Sequence, residues 1–152
     1  MLKKKDLINY FFEGIKKEDQ LKIGVEHEKF ILNKLTLKPV SYEEKGGIKD
    51  IFKRLISLGW KPITEESKEK IVALNRDSEY ITLEPGGQIE LSGAQLKTVH
   101  QTCSETNNHL YELKKLSEEF NFVLLGIGVE PELSINDFPW VPKERYSIMK
   151  KY

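Results

Sequence analysis

The pattern of apolar and polar positions predicts a series of β-strands separated by helices. Residues 23–32, IGVEHEKFIL, alternate with the period of two that is typical of a strand, which puts Glu26 and Glu28 on one face and His27 on the other. The other predicted strands are an edge strand at 60–64, a hairpin formed by 70–75 and 79–84, a strand at 88–91 and an apolar strand at 122–129.

Apolar residues recur at helical spacing in three segments: 5–17, from Ile48 to a terminating Gly59, and about 96–120. A loop-like tail follows, and a further helix begins near Lys143. The long helix carries the stripe Val99, Cys103, Thr106, Leu110 and Leu113. We expect Cys103 to be buried there as a small hydrophobic side chain. The order of elements favours an α+β domain, a mainly antiparallel sheet with helices packed on one face.

Composition narrows the function classes. A chain of 152 residues with 39% hydrophobic and 32% charged content fits a single domain with a real core. Its 24 basic and 24 acidic residues cancel, and only three of the basic residues are arginines, which argues against nucleic acid as a partner. The apolar start is interrupted by charges, so no signal peptide or membrane span is expected. The single Cys103 suits a reducing compartment, and we expect a cytoplasmic protein.

Two pairs of carboxylates are the strongest candidates for chemistry. Glu26 and Glu28 leave one predicted strand on the same face, and Glu84 and Glu90 are six residues apart in LEPGGQIELSG, so an extended path also gives them a common face. Gly86 and Gly87 between them add freedom for a bulge or for the close approach of a ligand. Four convergent carboxylates are what oxygen-preferring Mg²⁺ ions need when they also hold nucleotide phosphates.

Simpler interpretations stay open at this point. Glu26 and Glu28 are also compatible with the solvent-facing side of an edge strand, and Glu84 and Glu90 with a hairpin turn. His27 points away from the acids and is expected to be a packed residue. His100 and His109, nine residues apart on a helix, lie on opposite sides, which excludes a shared zinc ion. No nucleophile elbow, phosphate-binding glycine loop or dinucleotide fingerprint is present.

With these residues in view, the chain resembles the glutamate–cysteine ligases of the plant and proteobacterial type. The resemblance covers residues 20–152, and the stretches EPGGQ-E-LSG and HQTC are specific to that family. The segments that carry it are IGVEHEKF at 23–30, ITLEPGGQIELSGA at 81–94, HQTCSETNNHLYELK at 100–114, LLGIGVEP at 124–131 and PKERYSIMKKY at 142–152.

The resemblance implies a glutamine-synthetase-like catalytic domain that binds ATP, Mg²⁺, glutamate and cysteine. The implied reaction joins the γ-carboxylate of glutamate to the amine of cysteine through a γ-glutamyl phosphate, the first step of glutathione biosynthesis. It requires no protein nucleophile, so no catalytic residue is named. The implied metal ligands are Glu26, Glu28, Glu84 and Glu90, and the implied substrate-binding residues are Gln88, Arg145 and Tyr146.

The length of the chain departs from the family, whose catalytic chains run to several hundred residues. Residues 1–152 are therefore expected to be the N-terminal part of one ligase domain, truncated inside the element that RYSIMKKY begins and inactive alone. Any disulfide partner of Cys103 would lie beyond the end of this chain. Two alternatives are another carboxylate–amine ligase of the same superfamily and a non-catalytic metal- or nucleotide-binding fragment. The sequence does not reveal the oligomeric state.

Overall fold

The computed structural model describes residues 2–65 and 70–152, and it is organised around one six-stranded sheet. The strand order is β2-β3-β4-β5-β1-β6, and every neighbouring pair is antiparallel. The strands are β1 (Glu26–Asn33), β2 (Lys61–Glu65), β3 (Lys70–Arg76), β4 (Glu79–Leu83), β5 (Ile89–Ser92) and β6 (Phe122–Leu125). The predicted α+β class, the β3–β4 hairpin and the edge position of β2 are confirmed.

Two helices cover one face of the sheet, and the hydrophobic core lies between these helices and the sheet. They are α2 (Ile48–Ser57) and α3 (Val99–Phe120). Helix α3 begins with a capping box, in which Thr98 Oγ1 accepts from the backbone N–H of Gln101 and the side chain of Gln101 accepts from the N–H of Thr98. The fully buried core side chains come from both helices and from alternate positions of the strands: Ile48, Ile51, Phe52, Leu55, Leu74, Ile81, Leu83, Ile89, Leu91 and Leu113.

A tight turn that contains Gly86 and Gly87 joins β4 to β5. The backbone N–H of Gly87 donates to the carbonyl of Glu84 at 2.9 Å, and Gly87 has φ +86°, which favours glycine. A Cβ on Gly86 would lie 2.9 Å from the ring of Phe138, so the chain's own tail is what approaches it. A turn and the tail thus account for these glycines, and the close approach of a ligand to them stays a prediction.

Element ends differ from the predictions where the chain turns away from the sheet. The first helix, α1 (Lys4–Glu13), ends at Gly14 and has no buried residue, and β6 ends at Leu125. Strand β1 begins at Glu26, whereas Ile23 forms only an isolated bridge with Leu96. The last helix, α4 (Glu144–Met149), begins as expected after Lys143.

The prediction that Cys103 is buried is wrong, because α3 presents a different stripe to the sheet. Cys103 is exposed, and the residues of α3 that face inward are Thr102, Glu105, His109, Leu113 and Leu116. Of the polar residues on this face, Glu105 accepts a hydrogen bond from the backbone N–H of Ala94 through Oε1 at 2.7 Å. Burial lowers the pKa of His109 to about 3, which keeps its ring neutral. His100 is exposed, so the two histidines do lie on opposite sides.

No helix in the described ranges 2–65 and 70–152 is long and apolar enough to cross a membrane.

Trimming a strand residue of the core should destabilise the domain. We expect Ile81→Ala to lower the free energy of unfolding by about 2–5 kcal/mol, because Ile81 is 0% exposed and its removal leaves a cavity. The matched control is Ile63→Ala on the edge strand β2, where the side chain is 38% exposed and the loss should stay below about 1 kcal/mol. Urea unfolding measures both, and equal losses would contradict this assignment of the core.

Candidate functional site

The strand register brings the predicted acids to the face of the sheet that the helices leave open. Glu28 of β1 lies directly opposite Glu90 of β5, and Glu90 in turn lies opposite Thr82 of β4. Glu26 lies opposite Ser92 on the same face. Since side chains alternate along a strand, the neighbours Ile81, Ile89 and Leu91 point to the other face and into the core.

Glu84 reaches this face through a hairpin, which differs from the extended path expected from the sequence. The backbone N–H of Glu84 donates to the carbonyl of Gln88 at 2.9 Å, so the chain reverses between the two acids. Glu84 comes two residues after Thr82, which is paired with Glu90, and it therefore lies diagonally across from Glu90. The acids share a face because of pairing between strands, although the sequence argument relied on spacing within one strand.

Glu90 is the best anchored of the four acids. Its two carboxylate oxygens accept hydrogen bonds from Thr82 Oγ1 at 2.9 Å and from Ser92 Oγ at 3.0 Å. Thr82 and Ser92 were not predicted as site residues, although their even spacing from Glu84 and Glu90 placed them on the same face. The two hydroxyls fix the rotamer of Glu90 and leave other lone pairs of its carboxylate free.

Burial raises the pKa of Glu84 above its ordinary value of 4.5, and the negative charge of Glu90 raises it further. Lys143 acts in the opposite direction, because its positive charge favours the ionised form of Glu84. A carboxylate held in such repulsion gains more than a solvated one when a cation arrives.

Three of these acids, Glu26, Glu84 and Glu90, line an open cleft of about 510 Å³ on the sheet face. Glu28 lies opposite Glu90 on the same face but does not line the cleft. Its floor comes from β3, β4, β5 and β1, and its far wall comes from the tail of the chain. The charged residues that line it are Glu26, Glu65, Glu84, Glu90, Lys143 and Arg145. Four carboxylates against two cations give the lining a formal charge of −2. The cleft is suited to a divalent cation that carries an anionic ligand.

Arg145 and Tyr146, predicted from the resemblance, reach the cleft in different ways. Arg145 is exposed and lines the cleft, and its Nη2 donates to the hydroxyl oxygen of Tyr146 at 2.9 Å. Tyr146 is buried, and its own hydroxyl donates to the carbonyl of Leu83 at 2.7 Å. The hydrogen bond to Tyr146 raises the pKa of Arg145, which therefore stays charged.

Two charged residues that line the cleft were also missed by the sequence analysis. Lys143 lies inside the PKERY stretch that carried the family resemblance, but no pattern marked it out. Glu65 ends the edge strand β2, and both of its oxygens accept from the backbone N–H of Glu144, 79 residues later, at 2.9 and 3.1 Å. Such a long-range contact leaves no periodic signal in the sequence.

Gln88 and His27 do not contribute to the cleft. Gln88 is absent from the residues that line it, and its Oε1 lies beside Gly86, where an added Cβ would approach to 2.9 Å. His27 lies on the helix side of β1, half-buried, and burial lowers its pKa, as expected for a packed residue. Gln88 thus lies beside the turn, and its substrate-binding role stays a prediction.

The acids fit Mg²⁺ as a partial ligand set. Within the described part of the chain, no group of three or more His, Cys, Asp or Glu side chains is placed to hold one metal ion by itself. Mg²⁺ is usually held by one or two carboxylates together with waters and substrate phosphates, and seldom by an all-protein cage. The facing pair Glu28 and Glu90 and the neighbouring Glu84 match that demand.

Comparison with known proteins places this chain among ligases. The sequence profile of the glutamate-cysteine ligase family 2 (GCS2) matches residues 22–152. Glutamate–cysteine ligase A, chloroplastic, from Oryza sativa subsp. japonica is 44% identical over 152 residues, which are 99% of this chain and 30% of the relative. The chloroplastic glutamate–cysteine ligase of Medicago truncatula is 44% identical over 155 residues (99% and 29%), and that of Arabidopsis thaliana is 43% identical over 155 residues (99% and 28%). The chain spans about 30% of the length of these relatives.

The expectation of a cytoplasmic protein is contradicted by these relatives, each of which is named as a chloroplastic enzyme. The argument from Cys103 failed because a single free cysteine is compatible with any reducing compartment and does not distinguish one from another.

Neutralising Glu84 should stabilise the domain at neutral pH in a buffer that contains a chelator. The folded pKa of Glu84 is raised, so its ionisation opposes folding, and stability falls as the pH rises from about 4.5 through the folded pKa. Glu84→Gln removes this opposition, and we expect a gain of roughly 0.2–1 kcal/mol at pH 7 with no gain at pH 4.

Urea unfolding at both pH values measures the effect. The control is Glu132→Gln on the exposed tail, which should leave stability unchanged at either pH. A loss of stability at pH 7 in Glu84→Gln would contradict the repulsion that the cleft implies.

Proposed function

Since the chain belongs to the glutamate-cysteine ligase family 2, we propose that it forms part of the active site that joins the γ-carboxylate of glutamate to the amine of cysteine, the first step of glutathione biosynthesis. Identity of 43–44% with named glutamate–cysteine ligases over 99% of the chain supports this proposal. The observation that carries it is the register of β1, β4 and β5, in which Glu28, Glu90 and Thr82 lie side by side on the open sheet face.

The chemistry explains why acids, rather than a nucleophile, dominate the cleft. A carboxylate and an ammonium group do not condense in water, so ATP must first convert the γ-carboxylate into an acyl phosphate. Phosphoryl transfer depends mainly on positioning and on the neutralisation of charge. Mg²⁺ held on the carboxylates of this face would supply that neutralisation of charge. The amine of cysteine then attacks the activated carbonyl carbon and phosphate leaves.

In this proposal Glu26, Glu28, Glu84 and Glu90 hold Mg²⁺. Glu90 is pre-oriented by Thr82 and Ser92, so little rotamer entropy is lost when it binds. Glu28 approaches from the neighbouring strand β1, directly opposite Glu90. The carboxylates of two strands can thus serve ions that share the phosphates of one nucleotide.

The tail contributes the positive side of the site. Arg145 is exposed in the cleft and keeps donors free beyond the one it gives to Tyr146, so we assign it to a carboxylate or phosphate of the substrate. Tyr146 is buried and orients Arg145 through their hydrogen bond. Gln88, outside the cleft, receives no substrate role in this proposal.

The remaining walls of the site would lie in a longer protein. We propose that residues 1–152 are the N-terminal part of a single ligase domain, in agreement with the 30% of the relatives' length that the chain spans. Other carboxylate–amine ligases of the superfamily share the same chemistry with a different acceptor amine. An assay that replaces cysteine by other amines distinguishes such a ligase from a glutamate–cysteine ligase. If no amine, cysteine included, is joined to glutamate, the result would favour a non-catalytic fragment.

Removing one metal carboxylate should abolish turnover. In the protein that comprises this chain and the rest of its reading frame, we expect Glu84→Gln and Glu90→Gln each to lower Mg²⁺- and ATP-dependent γ-glutamylcysteine formation by about 100-fold or more, because the charge that offsets the phosphates is lost. Mass spectrometry of the product, with phosphate release in parallel, measures the rate.

The matched control is Glu118→Gln on the exposed side of α3, which should keep the parent rate. Near-normal turnover in Glu84→Gln would sink the metal assignment of that residue. Turnover in the parent protein without added Mg²⁺, in the presence of a chelator, would sink the metal requirement as a whole.

A further inference from the structure

The tail residues 141–146 are hydrogen-bonded at three separate points to one end of the sheet, where β2 and β4 finish. The N–H of Val141 donates to the carbonyl of Pro85 at 3.0 Å, and the N–H of Glu144 is bound by Glu65. Between these two, Lys143 Nζ donates to the carbonyl of Leu83 at 2.7 Å. The segment therefore runs alongside the end of β4 and the turn that carries Glu84.

The carbonyl of Leu83 receives two donors, which is more than holding the tail requires. The hydroxyl of Tyr146 also donates to it at 2.7 Å, and Lys143 Nζ lies 3.4 Å from that hydroxyl. This carbonyl belongs to the peptide group that links Leu83 to Glu84, whose N–H is already paired with Gln88. The peptide group between Leu83 and Glu84 is thus hydrogen-bonded through both its carbonyl and its N–H.

Lys143 differs from an ordinary structural lysine in its burial and its surroundings. It is 8% exposed, although burying an ammonium group is costly unless other charges compensate. Burial and, after it, the positive charge of Arg145 lower the pKa of Lys143, and the negative charges of Glu84, Glu90 and Glu65 act in the opposite direction. Since Tyr146 already anchors the carbonyl of Leu83 with a neutral hydroxyl, a positive charge here is not needed for the anchor alone.

Lys143 and Arg145 also differ in their exposure to solvent. Both line the cleft, but Arg145 is exposed and Lys143 is buried beneath it, next to the backbone of β4. An ammonium group has three donors, and two acceptors in the protein lie within reach of Lys143 Nζ. A fixed cation of this kind can hold neighbouring carboxylates in the cleft while the exposed arginine meets the substrate.

We propose that Lys143 is a positioning residue of the ligase reaction, whose fixed positive charge, tied to the carbonyl of Leu83, attracts Glu84 and Glu90 across the cleft that all three line, without a direct ion pair, and so keeps their carboxylates facing it. The inference rests on the proposed function and deepens it, because it adds a residue that acts through the metal carboxylates. It contrasts with a purely structural role, in which the hydrogen bond to Leu83 would matter and the charge would not.

Three substitutions at one position separate these roles. Lys143→Gln keeps a donor for the carbonyl of Leu83 and removes the charge, Lys143→Arg keeps both, and Lys143→Met removes both. The matched control is Lys150→Met, since Lys150 is an exposed lysine of the same tail that contacts the ring of Trp140. We measure kcat/KM for glutamate with cysteine and MgATP, the Kd of Mg²⁺ in the presence of ATP by calorimetry, and the melting temperature.

The positioning role predicts that Lys143→Gln keeps a melting temperature close to the parent's but lowers kcat/KM and weakens Mg²⁺ binding in the presence of ATP by about 10- to 100-fold. The reason is that loss of carboxylate orientation outweighs the Coulomb gain that Mg²⁺ would have from the removal of a nearby cation. Lys143→Arg should restore most of both quantities, and Lys150→Met should change neither. Because Lys143→Gln preserves the hydrogen bond, the comparison holds even if Lys143→Met does not fold.

Parent-like kcat/KM and Kd in Lys143→Gln would overturn the inference and leave Lys143 a structural anchor. If the parent protein shows no ligation with cysteine, the proposed function fails instead, and the Kd for Mg²⁺ in Lys143→Gln still decides whether the charge of Lys143 supports the carboxylates.

Discussion

The register between β1, β4 and β5 is the constraint on which the rest of this structure depends. It pairs Glu28 with Glu90 and Glu90 with Thr82, and it places the intervening residues Ile81, Ile89 and Leu91 against the helices. A shift of one residue in this pairing would bury the acids and expose the core. The burial of the apolar positions thus holds the acids on the open face, and the free energy that stabilises the fold also sets the geometry of the site.

That arrangement is unfavourable for the acids themselves. Glu84 lies in the field of Glu90, and both share the cleft with Glu26 and Glu65. The buried core offsets this repulsion, and the cations Lys143 and Arg145 on the tail reduce it. Natural proteins often retain such local conflicts where a ligand resolves them, so the conflict itself directs attention to this face. A divalent cation bound between the strands would convert the repulsion into binding free energy.

Local patterns in the sequence predicted most of the fold and half of the site. The period of two in residues 23–32 and the spacing of Ile48, Ile51 and Phe52 were sufficient to predict β1 and α2. Helix α2 buries one face, whereas β1 buries both faces in its second half, from Lys29 to Leu32. The stripe chosen for α3 was right at Leu113, which is fully buried, and wrong at Val99 and Cys103, which are exposed. Glu105 lies inward instead and accepts the N–H of Ala94. Hydropathy alone does not report contacts of that kind.

The residues that no pattern revealed are those positioned by distant parts of the chain. Lys143 lies next to Leu83, and Glu65 next to Glu144, across 60 and 79 residues respectively. The most direct test of the account is to add Mn²⁺ with ATP to the isotope-labelled chain and to observe which backbone amide signals broaden. The account predicts the strongest broadening at Glu26, Glu28, Glu84 and Glu90, with weaker broadening at the amides of α2 and α3 on the other face of the sheet. Broadening centred on another surface, or none at all, would contradict it.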